Sequence, residues 1–150
     1  MSQMPGRAPI LVSACLVGVR CRYDGRAATS AEVCAELGDG PLVALCPEEL
    51  GGLLTPRAGA SFVGGDGEAV LDGRARVVLE DGVDVTAQFL EGARRAVDLA
   101  RAAGVQEAVL KERSPSCACA MVHREGALVP GTGVTAAALR RSGIRVRGGG

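Results

Sequence analysis

The stretch that decides the fold is Ala108-Val109-Leu110-Lys111-Glu112-Arg113-Ser114-Pro115-Ser116-Cys117-Ala118-Cys119. Its apolar start reads as the end of a buried strand. A strand that stops at a turn of serines and cysteines is a common way to set a reactive site on an α/β sheet. Pro115 prevents a regular continuation, because it lacks an N–H and pushes Ser114 toward an extended geometry. The turn is therefore stiff, and its hydroxyls and thiols point in fixed directions. Two earlier segments end in the same way. Ile10-Leu11-Val12-Ser13-Ala14 runs into Cys15, and Leu42-Val43-Ala44-Leu45 runs into Cys46. Three expected strands thus each deliver a cysteine at the carboxyl end.

The rest of the chain alternates with these strands. Residues 1–8 read as a disordered lead. After Cys15, Cys21-Arg22-Tyr23-Asp24-Gly25 forms a polar loop with the single Tyr. Ser30 caps a short helix with Val33, Cys34 and Leu37 on one face, and Gly38 ends it. Thr55-Pro56-Arg57 makes a second rigid loop. Weak alternation over Ala69 to Val83, with turn signals at Asp72-Gly73 and Asp81-Gly82, predicts a small β-hairpin excursion. Asp84 or Thr86 caps a long helix. Phe89, Leu90, Ala93, Val97, Ala100 and Arg101 recur at helical spacing, and Gly104 stops it. Glu125-Gly126 marks a turn. Gly131-Thr132-Gly133-Val134-Thr135 opens a last helix running to Arg141. A short strand, Ile144 to Val146, follows, and residues 148–150 read as a frayed tail. The expected fold is α/β: a single three-layer domain over residues 9–147, Rossmann-like, with a mainly parallel sheet plus the hairpin excursion. In such sheets the ligand crevice lies beyond the carboxyl ends of the strands, where the cysteine turns fall.

Composition narrows the function. The 150 residues suffice for one core. Seventeen basic residues balance 17 acidic ones, which argues against a general electrostatic grip on nucleic acid. Aromatics are 2 % of the chain, too few for a base-stacking platform. No stretch has the length of a transmembrane helix. Val12-Ser13-Ala14-Cys15 resembles a lipoprotein cleavage box, but the apolar run before it is short and broken by Pro5, Gly6 and Pro9. The expected location is cytoplasmic, where the six cysteines are not a disulfide framework.

Spacing sorts the cysteines further. Structural zinc sites show close pairs such as Cys-x2-Cys, whereas here Cys15 and Cys21 are separated by five residues and Cys117 and Cys119 by one. No Cys-x-x-Cys redox pair is present. A nucleophilic Cys needs a basic partner, and His123, the single His, reads better as a solvent-facing loop residue. What remains is one thiolate from each of three turns, meeting at one sheet edge. Thiolates suit iron–sulfur clusters, and three of them leave one iron of a cubane open to act as a Lewis acid. Cys34 reads as core packing. Cys21 admits two readings, a buried structural thiol or a reserve ligand.

Six blocks then occur in order: Val12-Ser13-Ala14-Cys15-Leu16-Val17-Gly18, Cys21-Arg22-Tyr23-Asp24-Gly25, Cys46-Pro47-Glu48-Glu49-Leu50-Gly51-Gly52-Leu53, Thr55-Pro56-Arg57, Leu110-Lys111-Glu112-Arg113-Ser114-Pro115-Ser116-Cys117 and Gly131-Thr132-Gly133-Val134-Thr135-Ala136. Together they resemble the bacterial thiouracil desulfidase family, formerly a domain of unknown function, from about Ile10 to Val146. The resemblance implies a 4Fe–4S cluster held by Cys15, Cys46 and Cys117, whose fourth iron takes the sulfur of a thiolated pyrimidine such as 2-thiouracil. It implies Glu48 and Ser114 as assisting catalytic groups. The family usually has Gly after the third cysteine. This chain has Ala118 and then Cys119, which makes Cys119 a rival ligand or a modifier of access.

Thiocarbonyl sulfur is soft and matches an open iron better than a hard cation. Glu48, two residues from a ligand, is then the general acid or base for water and ring nitrogen. A negative cluster nearby would raise its pKa. Ser114 donates a hydrogen bond to the ring or orients the water, with Ser116 as the fallback. Arg22, Tyr23 and Asp24 shape the pocket, and Arg57 neutralises a substrate oxygen. Gly131-x-Gly133 reads as turn geometry rather than an anion cradle. The expected partners are a small thiolated base and the iron–sulfur assembly machinery, with no membrane and no nucleic acid, in a monomer or homodimer. Two rival readings are a non-catalytic iron–sulfur sensor and a structural zinc or thiol module binding thiolated RNA. A sensor calls for an output surface such as a basic patch, and none is evident.

Overall fold

Strand β1 (Ile10–Ser13) and its neighbours carry side chains that are apolar on both faces, and the molecule is layered around them. The structure is a computed structural model that describes residues 8–150; all of the expected lead except Ala8 lies outside the described residues. The first sheet has the order β2 (Leu42–Leu45), β1, β5 (Glu107–Lys111), β8 (Arg145–Gly149), and every pairing is parallel. Leu11, Ala108 and Leu110 face one side, where they meet Ala96, Val97 and Ala100 of α4 (Thr86–Ala103) and Leu139 of α5 (Val134–Arg141). Val12 and Val109 face the other side, against Val33 and Leu37 of α1 (Ala31–Leu37). Burial on both faces explains why these strands are continuous apolar runs. Helix, sheet and helix make the three layers that the alternation predicts.

The hairpin excursion is larger than expected. It is a second four-stranded sheet, ordered β4 (Arg76–Leu79), β3 (Ala60–Val63), β6 (Met121–Arg124), β7 (Ala127–Pro130). The start of the Ala69–Val83 segment is not strand. Asp66 accepts the N–H of Ala69 and caps α3 (Gly67–Leu71), and only β4 of that segment joins the sheet, antiparallel to β3. Phe62, Val77 and Val122 of this sheet pack on Phe89 and Ala93 of α4 and Val134 of α5. Helices α4 and α5 therefore lie between two sheets.

Helix ends follow sequence with two differences. Ser30 accepts the N–H of Val33 and caps α1, as expected, but Cys34 is exposed rather than packed in the core. A short helix on a sheet buries a narrow stripe, here Val33 and Leu37 four residues apart, and Cys34 falls beside it. At α4 neither expected residue is the cap: Val85 holds that position without a side-chain cap, Asp84 accepts the N–H of Thr86, the first helical residue, and the Thr86 hydroxyl accepts the N–H of Val77 in β4. Gly104 ends α4 in the left-handed conformation (φ 73°). Gly148 and Gly149, expected in a frayed tail, pair with Leu110 and Lys111 as the end of β8.

Candidate active site

The carboxyl ends of β1, β2 and β5 open into a cavity of about 750 Å³. Cys15, Cys46 and Cys117 all line it, as do Glu48, Ser114 and Ser116. Each thiol is placed by local backbone chemistry. Cys15 sits in a 3-10 turn, Ala14–Val17, that begins where β1 ends and is closed by left-handed Gly18 (φ 103°). Cys46 occupies the cap position of the short helix α2 (Pro47–Leu50), with Pro47 pre-set for the first helical residue.

Cys117 is held most tightly. The Ser114 hydroxyl oxygen accepts the N–H of Ser116 at 3.2 Å and of Cys117 at 3.1 Å, folding the turn on itself. The amino end of α5 fixes the turn from outside. Gly133 N–H donates to Ala118, Val134 N–H to Pro115, and Thr135 and Ala136 N–H both to Ser116. Those amides would otherwise lack partners at a helix start. Gly131-x-Gly133 is thus not an anion cradle. Gly133 is required for contact, since a Cβ there would stand 2.4 Å from the carbonyl carbon of Ser116. Glu112 secures the downstream side: its Oε1 accepts the N–H of Cys119, Ala120 and Met121 at 2.9–3.0 Å.

The three thiols feel one another. Cys15 is held below the usual thiol range, chiefly because the Cys21 thiol hydrogen-bonds to it; burial and the nearby Cys117 and Cys46 push the other way. Cys46 is pushed up by its hydrogen bond with Cys21 and by burial. Cys117 is pushed up to about 12 by burial, despite hydrogen bonds from Ser13 and Ser116. Crowding thiolates around one space is unfavourable until a cation enters it. Among the described residues, no three His, Cys, Asp or Glu side chains are gathered closely enough to hold a single metal ion. Such an ion needs its sulfur ligands at ~2.3 Å. Three converging thiols around a roomy cavity instead suit a cofactor that presents several metal corners. The donor set fits an iron–sulfur cluster.

The other cysteines separate cleanly. Cys21 is 2 % exposed, lines the same cavity, and touches the thiols of both Cys15 and Cys46. Cys119 points elsewhere: it packs against the apolar core of the first sheet and donates to the carbonyl of Cys117 at 3.7 Å. It does not line the cavity.

Glu48 is nearly buried and paired with Arg57 at 2.5 Å. Burial pushes its carboxyl up, Arg57 pulls it back, and the net direction is up. Burial, which acts in the bare protein, is thus a cause of the upward shift apart from any cluster charge. Helix α2 is set by close backbone packing on α4, where a Cβ on Gly92 would stand 2.0 Å from the carbonyl oxygen of Pro47. Arg22 and Tyr23 reach the cavity, the guanidinium 5.8 Å from the ring centre. Asp24 does not; it pairs with Arg22 and accepts the N–H of Arg26. His123 is exposed on β6, a strand rather than a loop, and lines the cavity.

Sequence reasoning missed two contributions. Ser13 is buried; its oxygen accepts the N–H of Lys111 at 2.8 Å and it hydrogen-bonds Cys117. A serine closing a buried strand just before a cysteine was the available signal. The second sheet supplies a wall that includes Val63, Val78 and Leu79. No motif marks it.

Fold and site define a class: an α/β protein with a thiol-lined crevice at the carboxyl edge of a parallel sheet, beside a buried carboxylate. Within that class the chain belongs to the 2-thiouracil desulfurase family, whose profile matches residues 10–148. It is 42 % identical over 140 residues to the uncharacterized protein YbbK of Bacillus subtilis (strain 168), covering 91 % of this chain and 93 % of that one. Among solved structures it resembles a 4Fe-4S-dependent thiouracil desulfidase, TudS, with TM-score 0.80 and 42 % identity over 95 % of this chain and 91 % of the other.

Proposed function

We propose that this protein is a 4Fe-4S-dependent desulfidase that converts a thiolated pyrimidine such as 2-thiouracil into the oxo base and sulfide. Family membership supports the reaction, and the convergence of Cys15, Cys46 and Cys117 on one cavity carries it. These three cysteines would hold the cluster and leave one iron open. Bound there, the cluster supplies a soft Lewis-acid iron with affinity for thiocarbonyl sulfur and needs no net electron transfer. Glu48, on the cavity wall, takes a proton from water as its oxygen bonds to the ring carbon, and the carbon–sulfur bond breaks with sulfide as the leaving group. The two lone pairs of the Ser114 oxygen are engaged by backbone N–H groups. Its hydrogen is then free to orient the substrate or to be donated to the Ser116 hydroxyl, 3.0 Å away. Arg22 and Tyr23 shape the cavity mouth. Asp24 contributes by holding Arg22.

Among the described residues, no helix is long and apolar enough to cross a membrane. Six free cysteines support a reducing, cytoplasmic setting, with the cluster loaded by assembly machinery onto a monomer or homodimer. The experiment is anaerobic purification, a visible spectrum, and an assay of sulfide release from 2-thiouracil. A brown protein that releases sulfide is expected. A colourless protein with stoichiometric zinc overturns the proposal. Glu48→Ala keeps the colour and loses at least ~10²-fold in turnover; full turnover in that variant removes Glu48 from the mechanism.

A further inference from the structure

Arg57 does not have the free fork that a substrate-binding arginine needs. Guanidinium carries five N–H donors. Here one terminal nitrogen donates to Glu48 Oε2 and to the carbonyl of Cys21 at 3.0 Å. The other donates to the Thr55 hydroxyl at 2.8 Å and to the carbonyl of Leu54 at 3.2 Å. Both terminal nitrogens are therefore committed to the protein. The partners come from three segments: the loop after β1, helix α2, and the loop before β3. The Thr55 hydroxyl in turn donates to Glu49 Oε2 at 2.6 Å, which closes the network.

The pair is also set apart by burial. Side-chain exposure is 6 % for Arg57 and 14 % for Glu48. In every other ion pair among the described residues, both side chains are at least 29 % exposed. A buried carboxylate is costly without its partner, and such pairs are weak as stability devices compared with apolar packing. Their usefulness lies in fixed geometry. Arg57 grips one oxygen of Glu48, and among the described residues the other oxygen has no hydrogen-bond partner.

We infer that Arg57 is a positioning residue for the desulfuration step: it clamps Glu48 by Oε2 so that Oε1 faces the reacting water, and it does not bind substrate. This rests on the reading of Glu48 as the base. The test is a double-mutant cycle on cluster-loaded protein, with 2-thiouracil as substrate and the visible absorption per protein recorded for each variant. Arg57→Ala is expected to lower kcat roughly 10- to 100-fold, with KM changed less than about twofold and the absorption unchanged. Arg57→Lys restores the charge but not the fork, so it recovers only part of the rate. In Glu48→Ala/Arg57→Ala, turnover equals that of Glu48→Ala alone. Should Arg57→Ala fail to fold, the same cycle is run with Arg57→Lys, with the same equality expected. A rise in KM at constant kcat overturns the proposal, because it makes Arg57 a substrate contact. Losses that multiply in the double variant overturn it too, because Arg57 then acts independently of Glu48. Full turnover in Glu48→Ala sinks the reading of Glu48, and a slow Arg57→Ala beside it overturns the clamp.

Discussion

The two sheets do different work. The first is parallel throughout, has its central strands β1 and β5 buried on both faces, and delivers thiols at the ends of β1, β2 and β5. The second is mixed, lies beyond α4 and α5, and has no cysteine in its strands; it faces the same cavity with Val63, Val78 and Leu79. Chemistry is concentrated where parallel strands end, because their ends share one edge and loops there converge. Shape is supplied by the antiparallel β3–β4 pair, whose wall residues can change without disturbing the thiol edge.

This division is sharpest at the cofactor. Cys117→Ser, on the first sheet's edge, should abolish the brown colour and all sulfide release. Val78→Ala, on the second sheet, should keep the colour while its lost methyl groups raise KM by up to ~10-fold. Cys119→Ser, outside the cavity, should leave both colour and rate intact. Anaerobic spectra and steady-state assays of the three variants check this. Loss of colour in Val78→Ala would mean that the second sheet shares in holding the cluster.

The next test falls on the junction. Gly67 of α3 lies against Gly133, and Gly133 lies against the Cys117 turn: a Cβ on Gly67 would stand 2.3 Å from the carbonyl carbon of Gly133. These contacts are backbone on backbone, so nothing flexible can yield. Gly133→Ala should destabilise the apo-protein by about 1–3 kcal/mol or more, read as the shift of the urea midpoint at constant slope. An unchanged midpoint would show that the two halves are joined loosely there.

What could be read from sequence follows the same divide. Ile10-Leu11-Val12, Leu42-Val43-Ala44-Leu45 and Ala108-Val109-Leu110 are short apolar runs ending in turn signals, a pattern that parallel strands produce directly. The thiol edge followed from them. The second sheet was hidden because β6 and β7 are exposed and polar in part, with Met121, His123 and Arg124 diluting any alternation. Its partner strand β3 pairs with β6 at a single register point, Phe62 with Arg124, which no local pattern encodes. Glu48, Ser114 and the three proposed ligand cysteines were named from motif resemblance, whereas the commitment of both Arg57 terminal nitrogens depends on carbonyls of Cys21 and Leu54 that carry no side-chain signature. Gly133 was seen as a turn residue; that it meets Ser116 depends on packing.

The smallest effect concerns the carboxylate that links the sheets. Glu112 follows β5, and its Oε1 accepts N–H groups from Cys119, Ala120 and Met121, the last of which starts β6. Burial pushes its carboxyl up, but the backbone donors of Ala120, Met121, Arg113 and Cys119 outweigh it and hold it below the usual range. A carboxyl depressed in the folded state stabilises fully above its unfolded pKa of about 4.3 and loses that stabilisation as pH falls through the folded value. Glu112→Gln keeps an acceptor oxygen but removes the charge. At pH 7 the apo-variant should be less stable by about 1 kcal/mol, at the low end for hydrogen bonds to a charged group because solvent partly screens the site. As pH falls below the unfolded value the difference should narrow, and it should close in acid strong enough to protonate the depressed wild-type carboxyl in the folded state. Urea unfolding of both apo-proteins at neutrality and in acid measures it. A gap as wide in acid as at neutrality would mean that the link between the sheets depends on the shape of the Glu112 side chain and not on its charge.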